Sequence, residues 1–186
     1  GVRFMQLTYN NQTPLAGGCF ESKDSGVSRF GKAVIEEMNR LGMIVDLSHA
    51  GKQTCLDAIE VSNKPVAISH ANPNFFHRSK RNIDTDILQK LVKKNGFIGL
   101  SLYPYHLKNL GDCTIDDFCE MIKELVNLIG EDNIGIGSDL CLNWPDDVVM
   151  WMRNGKWTKN IDYGESKDKN PKWPKLPSWY KQPSDL

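Results

Sequence analysis

The sequence lacks the features that are typical of membrane-spanning proteins and of nucleic-acid-binding proteins. It contains no run of about eighteen apolar residues, so we expect no transmembrane helix. Its 23 basic and 23 acidic side chains balance, whereas proteins that bind nucleic acid usually carry a basic excess. We therefore expect a globular domain of ordinary composition with no nucleic-acid partner.

The sequence also lacks a cysteine framework. The number of cysteines is odd, they are widely spaced, and none belongs to a Cys-x-x-Cys pair. This pattern argues against a disulfide scaffold and against a cysteine-rich zinc site. We expect reduced thiols and a cytoplasmic location. The five residues are Cys19, Cys55, Cys113, Cys119 and Cys141.

What the sequence does contain, up to about residue 141, is a regular alternation of short apolar runs and longer amphipathic stretches. This alternation is typical of βα units around a parallel sheet. Five such units fit either a doubly wound sheet or part of an eight-stranded barrel, and a complete barrel needs about 250 residues. The predicted strands are 2–9, 43–49, 65–70, 97–102 and 134–140.

Capping residues predict where the helices between these strands begin and end. Ser28 is the expected N-cap of the first helix, and Gly42 is the expected stop. Thr114 opens the last helix, where Asp117 makes a near-match to a capping box, and Gly130 ends it. Two shorter helices are predicted between them.

The last part of the sequence has a different composition. We divide the chain into a catalytic domain (1–142) and an extension (143–186) that packs on it as a loop through its aromatic residues. A short helix is predicted at 147–153 and an extended segment at 158–186. A lid or a subunit contact is the alternative. The extension contains all five tryptophans, Trp144, Trp151, Trp157, Trp173 and Trp179.

Polar residues stand at the carboxyl ends of three predicted strands. His49, His70 and Asp139 each close an apolar run, and in parallel α/β folds these strand ends build the active site. Neutral imidazoles at the ends of neighbouring strands can bind one metal ion, with zinc–nitrogen distances of about 2.0–2.1 Å. Two histidines do not complete a zinc site, so further ligands must come from elsewhere.

Three more residues are candidates for substrate binding at the same edge. Arg81 follows His70 in a loop, and a fixed guanidinium suits the bidentate capture of a carboxylate, although a surface arginine is the simpler interpretation. Tyr103 and Tyr105 follow the fourth predicted strand. His77 and His106 receive no assignment.

These motifs together resemble the membrane (renal) dipeptidase family, the M19 metallopeptidases. The matching stretches include VDLSH, PVAISH, RNIDTDIL and GIGSD, in the family's order, and the resemblance covers roughly residues 1–140. It implies a (β/α)₈ TIM-barrel-like metallohydrolase fold with two zinc ions that share a bridging carboxylate. It also implies that family members form homodimers.

The resemblance implies a role for each candidate residue. His49 and His70 match the two histidines that bind one zinc. Arg81 matches the arginine that holds the substrate's C-terminal carboxylate, and Asp139 matches the aspartate that transfers a proton from water to the leaving amine. Either Tyr103 or Tyr105 stands where an aromatic residue assists carboxylate binding.

The chain departs from the family pattern in two ways. The family's His-x-Asp motif and its bridging glutamate are expected upstream of Gly1, so we predict a barrel truncated at the N-terminus and also at the C-terminus. Such a segment alone should hold at most one weakly bound metal and be inactive. Tyr9 stands where many dipeptidases have a histidine; its phenol can donate a hydrogen bond to an oxyanion but supplies no imidazolium charge.

The predicted function is therefore zinc-dependent hydrolysis of dipeptides, with a dipeptide or a similar small amide as the partner. One alternative is a related metal-dependent amidohydrolase that acts on a non-peptide amide, which the tyrosine at position 9 motivates. The other alternative is a non-catalytic barrel used for binding or assembly, which the absent ligands motivate.

Overall fold

The computed structural model describes residues 1–141, 148 and 172–186, and the architecture of this part is α/β. Strands and helices alternate strictly along it. The strands are β1 (Phe4–Gln6), β2 (Ile44–Asp46), β3 (Ala67–Ala71), β4 (Phe97–Leu100) and β5 (Ile134–Ile136); the helices are α1 (Arg29–Leu41), α2 (Lys52–Val61), α3 (Thr85–Lys93) and α4 (Ile115–Ile129).

The five strands form one parallel sheet in which spatial order follows chain order. Each helix therefore serves as the crossover between neighbouring strands, and all carboxyl ends of the strands lie at one edge. A doubly wound sheet reverses its strand order partway, whereas this sheet does not. The predicted βα alternation is confirmed, and the unreversed order is that of a barrel segment.

Local capping chemistry explains the helix boundaries. The Ser28 hydroxyl accepts a hydrogen bond from the backbone N–H of Gly31 at 2.9 Å, and Gly42 ends α1 with φ of 69°. At α4, Thr114 and Asp117 form a reciprocal capping box, as predicted, and Gly130 follows the last helical residue.

The strands are shorter than the apolar runs predicted. Strand β2 ends at Asp46, and His49 lies beyond it with φ of 66°; Asp139 likewise follows β5 with φ of 55°. The apolar runs extend beyond the strands because Leu47 and Leu102 are buried in the core, although neither belongs to a strand. Conversely, His70 lies within β3, which continues to Ala71, and so is not at the strand's last position.

The helices bury their apolar faces against the sheet, and the C-terminal residues join the same core. Tyr180 is only 1% exposed. The indole N–H of Trp179 donates to the carbonyl oxygen of Cys113 at 2.8 Å, and its ring lies 5.5 Å from that of Phe118. The helix predicted at 147–153 falls outside the described residues, except for residue 148. None of the described helices is long and apolar enough to cross a membrane.

Candidate metal centre

Two imidazoles converge at the carboxyl edge of the sheet. His49 comes from the turn that links β2 to α2, and His70 comes from β3. Their Nε2 atoms lie 2.9 Å apart, and the rings meet edge to face with centroids 5.0 Å apart. His49 adopts a positive φ, uncommon for a residue with a side chain, and is only 7% exposed. The backbone is therefore bent to turn this side chain into the site.

The opposite nitrogen of each imidazole has a polar partner. The Nδ1 atom of His49 lies 2.6 Å from the amide oxygen of Asn10. The Nδ1 atom of His70 lies 2.7 Å from the hydroxyl oxygen of Ser69. That hydroxyl donates in turn to the carboxylate of Asp46 at 2.6 Å. In proteins, metal-binding histidines usually have such a partner on the other nitrogen.

The donor set fits part of a metal site. Burial, followed by the nearby Arg81 guanidinium, lowers the pKa of His49, and burial also lowers the pKa of His70. A lowered pKa favours the neutral imidazole, which is the form that binds metals. Two nitrogens on one tetrahedral zinc lie about 3.3 Å apart, close to the spacing found here. Within the described residues, no group of three or more His, Cys, Asp or Glu side chains could hold a metal ion.

Arg81 places a cation directly behind the histidine pair. Its side chain is 4% exposed, and its Nη2 donates to the backbone carbonyl of His70 at 3.0 Å. Its Nε–H is buried and has no hydrogen-bond acceptor among the described residues. A buried charged donor without an acceptor is costly, so this group is prepared for an anionic partner.

Asp139 and Tyr9 stand at the open side of the site. The Tyr9 ring stacks on His49 with centroids 4.1 Å apart, although half of the residue is exposed. Desolvation and then the Asp139 charge raise the pKa of Tyr9. Desolvation also raises the pKa of Asp139, against the opposing effects of His70 and Arg81. Because Asp139 is itself exposed, solvent screening weakens these effects.

The two remaining candidates belong to a neighbouring aromatic group. The Tyr103 ring lies 5.7 Å from Tyr105, 5.1 Å from His106 and 6.2 Å from Trp173. His106, which received no assignment, is buried, and its Nδ1 lies 2.8 Å from the hydroxyl of Ser101. The structure thus gathers the four residues His49, His70, Arg81 and Tyr9 around one point, with Asp139 close enough to influence their charge.

Sequence reasoning missed the polar residues that hold the histidines. Asp46 and Ser69 lie inside the motifs that carry the resemblance, yet they received no role. A signal was present, because each is a polar residue within an apolar, buried strand run. Asn10 could not be found this way, since it lies 39 residues before its histidine partner.

Comparison with known proteins identifies related sequences. The family model described as membrane dipeptidase, peptidase family M19, matches residues 1–146. An uncharacterized dipeptidase of Schizosaccharomyces pombe is 35% identical over 145 residues, which cover 75% of this chain and 35% of that protein. Dipeptidase aclJ of Aspergillus oryzae is 35% identical over 143 residues, with 75% and 34% covered. The chain spans about a third of the length of these relatives.

Solved structures show the same architecture. An amidohydrolase from Pseudomonas aeruginosa superposes with a TM-score of 0.88 at 33% identity, covering 100% of this chain and 55% of that one. A metallopeptidase from Rhodobacter sphaeroides, liganded with a phosphinate mimic of the dipeptide L-Ala-D-Ala, superposes with a TM-score of 0.70 at 23% identity, covering 75% and 43%. Such neighbours are (β/α)-barrels, which confirms the predicted fold class.

Proposed function

The chain belongs to the membrane dipeptidase family, peptidase family M19, and from this premise we propose that the intact protein is a zinc-dependent dipeptidase. The observation that carries the proposal is the pairing of two imidazole nitrogens with a buried cation. The His49 and His70 Nε2 atoms face each other, and the Arg81 guanidinium lies behind them with one N–H lacking an acceptor.

The two histidines would hold one zinc ion, with further ligands supplied by parts of the protein outside this chain. Bound zinc lowers the pKa of coordinated water and polarises a carbonyl group, which is the chemistry that peptide hydrolysis requires. Two zinc ions per intact active site are proposed from the family. His49 and His70 would serve only one of them.

Arg81 would bind the C-terminal carboxylate of the substrate. Its orphaned Nε–H and its fixed position suit a carboxylate that lies one residue away from the histidine pair. This geometry favours dipeptides over longer chains, because the substrate's C-terminus must lie close to the bond that is cleaved.

Asp139 and Tyr9 complete the proposed chemistry. Asp139 would accept a proton from the attacking water and return it to the leaving amine, since it is a carboxylate beside His70 that remains open to solvent. Tyr9 stacks on His49 and would donate its phenolic proton to the developing oxyanion. Tyr103 or Tyr105 would line the outer part of the substrate site.

The proposal is tested on the full-length protein with a panel of free dipeptides, with zinc and after chelation. We expect amino-acid release that requires zinc and that His49→Ala or His70→Ala abolishes. His77→Ala is the matched control, because His77 lies outside the histidine pair and should leave turnover unchanged. No release from any dipeptide by a zinc-loaded protein would reject the dipeptidase assignment.

Hydrolysis of a non-peptide amide is the second candidate. It is favoured by Tyr9, whose neutral phenol replaces an imidazole at the open side of the site, and by the likeness to the Pseudomonas aeruginosa amidohydrolase. Zinc-dependent hydrolysis of simple amides without a free carboxylate, in a protein inactive on dipeptides, would favour it. A protein that binds no metal would favour a non-catalytic barrel. The homodimer, the cytoplasmic location and the boundary at residue 142 stay predictions.

A further inference from the structure

The hydroxyl of Ser69 has a complete set of hydrogen bonds, and this set fixes the direction of each one. A serine hydroxyl has one proton to donate and two lone pairs that accept. The proton goes to the Asp46 carboxylate at 2.6 Å. The hydroxyl of Ser48, 3.2 Å away, and the Nδ1 atom of His70, 2.7 Å away, must therefore both donate to Ser69.

Asp46 determines the direction in which the Ser69 hydroxyl donates. It is 5% exposed, and its Oδ1 atom accepts from the backbone N–H groups of Ser48 and Ser69, both at 3.0 Å. Its Oδ2 atom is thereby aimed at the Ser69 hydroxyl. An ionised carboxylate only accepts hydrogen bonds, so Ser69 cannot turn its proton toward His70.

Asn10 acts in the same sense on the other histidine. Its amide oxygen accepts from the thiol of Cys19 at 3.5 Å and lies 2.6 Å from Nδ1 of His49. An acceptor at this distance requires the proton of His49 on Nδ1. Both histidines therefore carry the proton on Nδ1, and both direct an Nε2 lone pair toward the other ring. At 2.9 Å two such lone pairs repel each other, and a cation bound by both nitrogens relieves that repulsion.

We propose that Asp46 and Ser69 form a relay that positions His70 for metal binding, and that Asn10 does the same for His49, by fixing the tautomer and the ring orientation before the metal arrives. The inference rests on the proposed function, in which the two histidines bind zinc. These three are positioning residues, because they act through the histidines and touch neither the metal nor the substrate.

An isosteric variant reverses the relay. In Asp46→Asn, the two backbone N–H groups keep the amide oxygen at the Oδ1 position, so the amide nitrogen faces Ser69 and donates to it. The Ser69 hydroxyl then turns its proton to Nδ1 of His70, and the ring must carry its own proton on Nε2. In that tautomer Nε2 has no lone pair to offer a metal, and the lone pair on Nδ1 faces Ser69.

The first measurement records the ring ¹⁵N shifts of the histidines in the intact, metal-free protein. We expect Nδ1–H for His49 and His70 in the wild type, and Nε2–H for His70 alone in Asp46→Asn. Asp24→Asn is the matched control, because Asp24 also accepts several hydrogen bonds, from Gly26, Gln53 and Thr54, without touching a histidine. Finding Nε2–H on His70 of the wild-type protein would overturn the inference without any variant.

The second measurement is the affinity for zinc alone, by competition with a chromophoric chelator. We expect Asp46→Asn and Ser69→Ala to weaken binding about 10- to 100-fold, the usual effect of losing a partner of a metal ligand. Ser69→Thr, which keeps the hydroxyl, should bind zinc with wild-type affinity, and so should Asp24→Asn. Unchanged affinity in both Asp46→Asn and Ser69→Ala would refute the relay.

The two arms separate this inference from the proposed function. A wild-type protein with the expected tautomers that binds zinc but cleaves no dipeptide keeps the relay and rejects the peptidase assignment. If Asp46→Asn does not fold, Ser69→Ala and the wild-type tautomers still decide, because Ser69→Ala removes the hydroxyl that links Asp46 to Nδ1 of His70.

Discussion

At the scale of a single residue, Arg81 is a buried cation whose hydrogen bonds are incomplete. Its guanidinium is withdrawn from water, donates to the His70 carbonyl, and keeps a buried Nε–H without an acceptor among the described residues. A folded protein tolerates such a group where a ligand completes it. The same contact ties the cation to β3, so the distance between the guanidinium and the histidine pair is fixed.

Replacing Arg81 should therefore affect substrates according to their C-terminus. We expect Arg81→Ala to lower kcat/KM for free dipeptides by about 10- to 100-fold, since a charge-assisted hydrogen bond contributes about 1.5–3 kcal/mol. Arg81→Lys should recover little, because an ammonium lacks the planar fork. Dipeptide amides should be poor substrates of the wild type and be little changed by either variant.

The control for this prediction is Arg78→Ala, which removes an exposed arginine from the same loop. It should leave the preference for a free carboxylate unchanged. The comparison is made by steady-state kinetics on matched acid and amide substrates. If Arg81→Ala lowered kcat/KM equally for acid and amide substrates, the arginine would support the fold and would not bind the substrate carboxylate.

The sequence led to the chemically conspicuous residues but not to those that hold them. His49 and His70 stand out because their imidazoles close apolar runs, and Arg81 because it follows His70 in a loop and matches an arginine of the family, and the structure brings all three together. Asp46 and Ser69 lie within the same motifs, but the sequence assigns them no role, because a hydrogen bond depends on side-chain direction across neighbouring strands. That direction follows from the register of β2 and β3, which no local pattern contains.

At the scale of elements, helices were predicted more accurately than strands. Caps are local signals: Ser28 and the Thr114–Asp117 pair act within one turn, so the sequence alone places them. A strand end depends on where the partner strand stops pairing. The apolar run after β4 continues through Leu102, which is 1% exposed, although the strand ends at Leu100.

Two glycines at the end of the sheet show how tightly the site is packed between strands. A Cβ atom at Gly99 or at Gly137 would overlap the carbonyl oxygen of Ser69. Both positions therefore require glycine, since the backbone of β3 passes against them. The consequence reaches the site, because Ser69 carries the hydroxyl that contacts His70.

We expect Gly137→Ala to destabilise the protein by about 1–3 kcal/mol, the usual cost of overpacking, and to weaken zinc binding by displacing Ser69. Gly135→Ala is the matched control: it lies two residues earlier, and an added Cβ there would meet only the Phe97 ring, at 3.8 Å. Urea unfolding and zinc titration measure the two effects. A Gly137→Ala protein as stable as Gly135→Ala would show that β3 does not approach this closely.

At the scale of the whole molecule, the order of elements was the most predictable feature. Five apolar runs separated by amphipathic stretches lead to a parallel sheet whatever their exact ends, because each crossover packs a helix on the sheet. The periodicity of the sequence does not distinguish a barrel from a doubly wound sheet. It required the spatial strand order, which runs from β1 to β5 without reversal.

Aromatic side chains in the described C-terminal residues contact the rest of the domain. Tyr180 is 1% exposed within the main core cluster, and Trp179 donates to the Cys113 carbonyl just before α4 begins. Both lie beyond residue 146, where the family match ends. A segment outside that match thus contributes to the core that supports α4.

This placement leads to a stability prediction for the intact protein. We expect Tyr180→Ala to lower the free energy of unfolding by about 3–5 kcal/mol, because it removes a large buried ring and leaves a cavity beside Trp179. Leu186→Ala, at a residue 62% exposed, should change it by less than about 0.5 kcal/mol. Urea unfolding of both variants makes the comparison. If Tyr180→Ala were as stable as Leu186→Ala, the segment would lie on the surface of the domain, and the core of α4 would be complete without it.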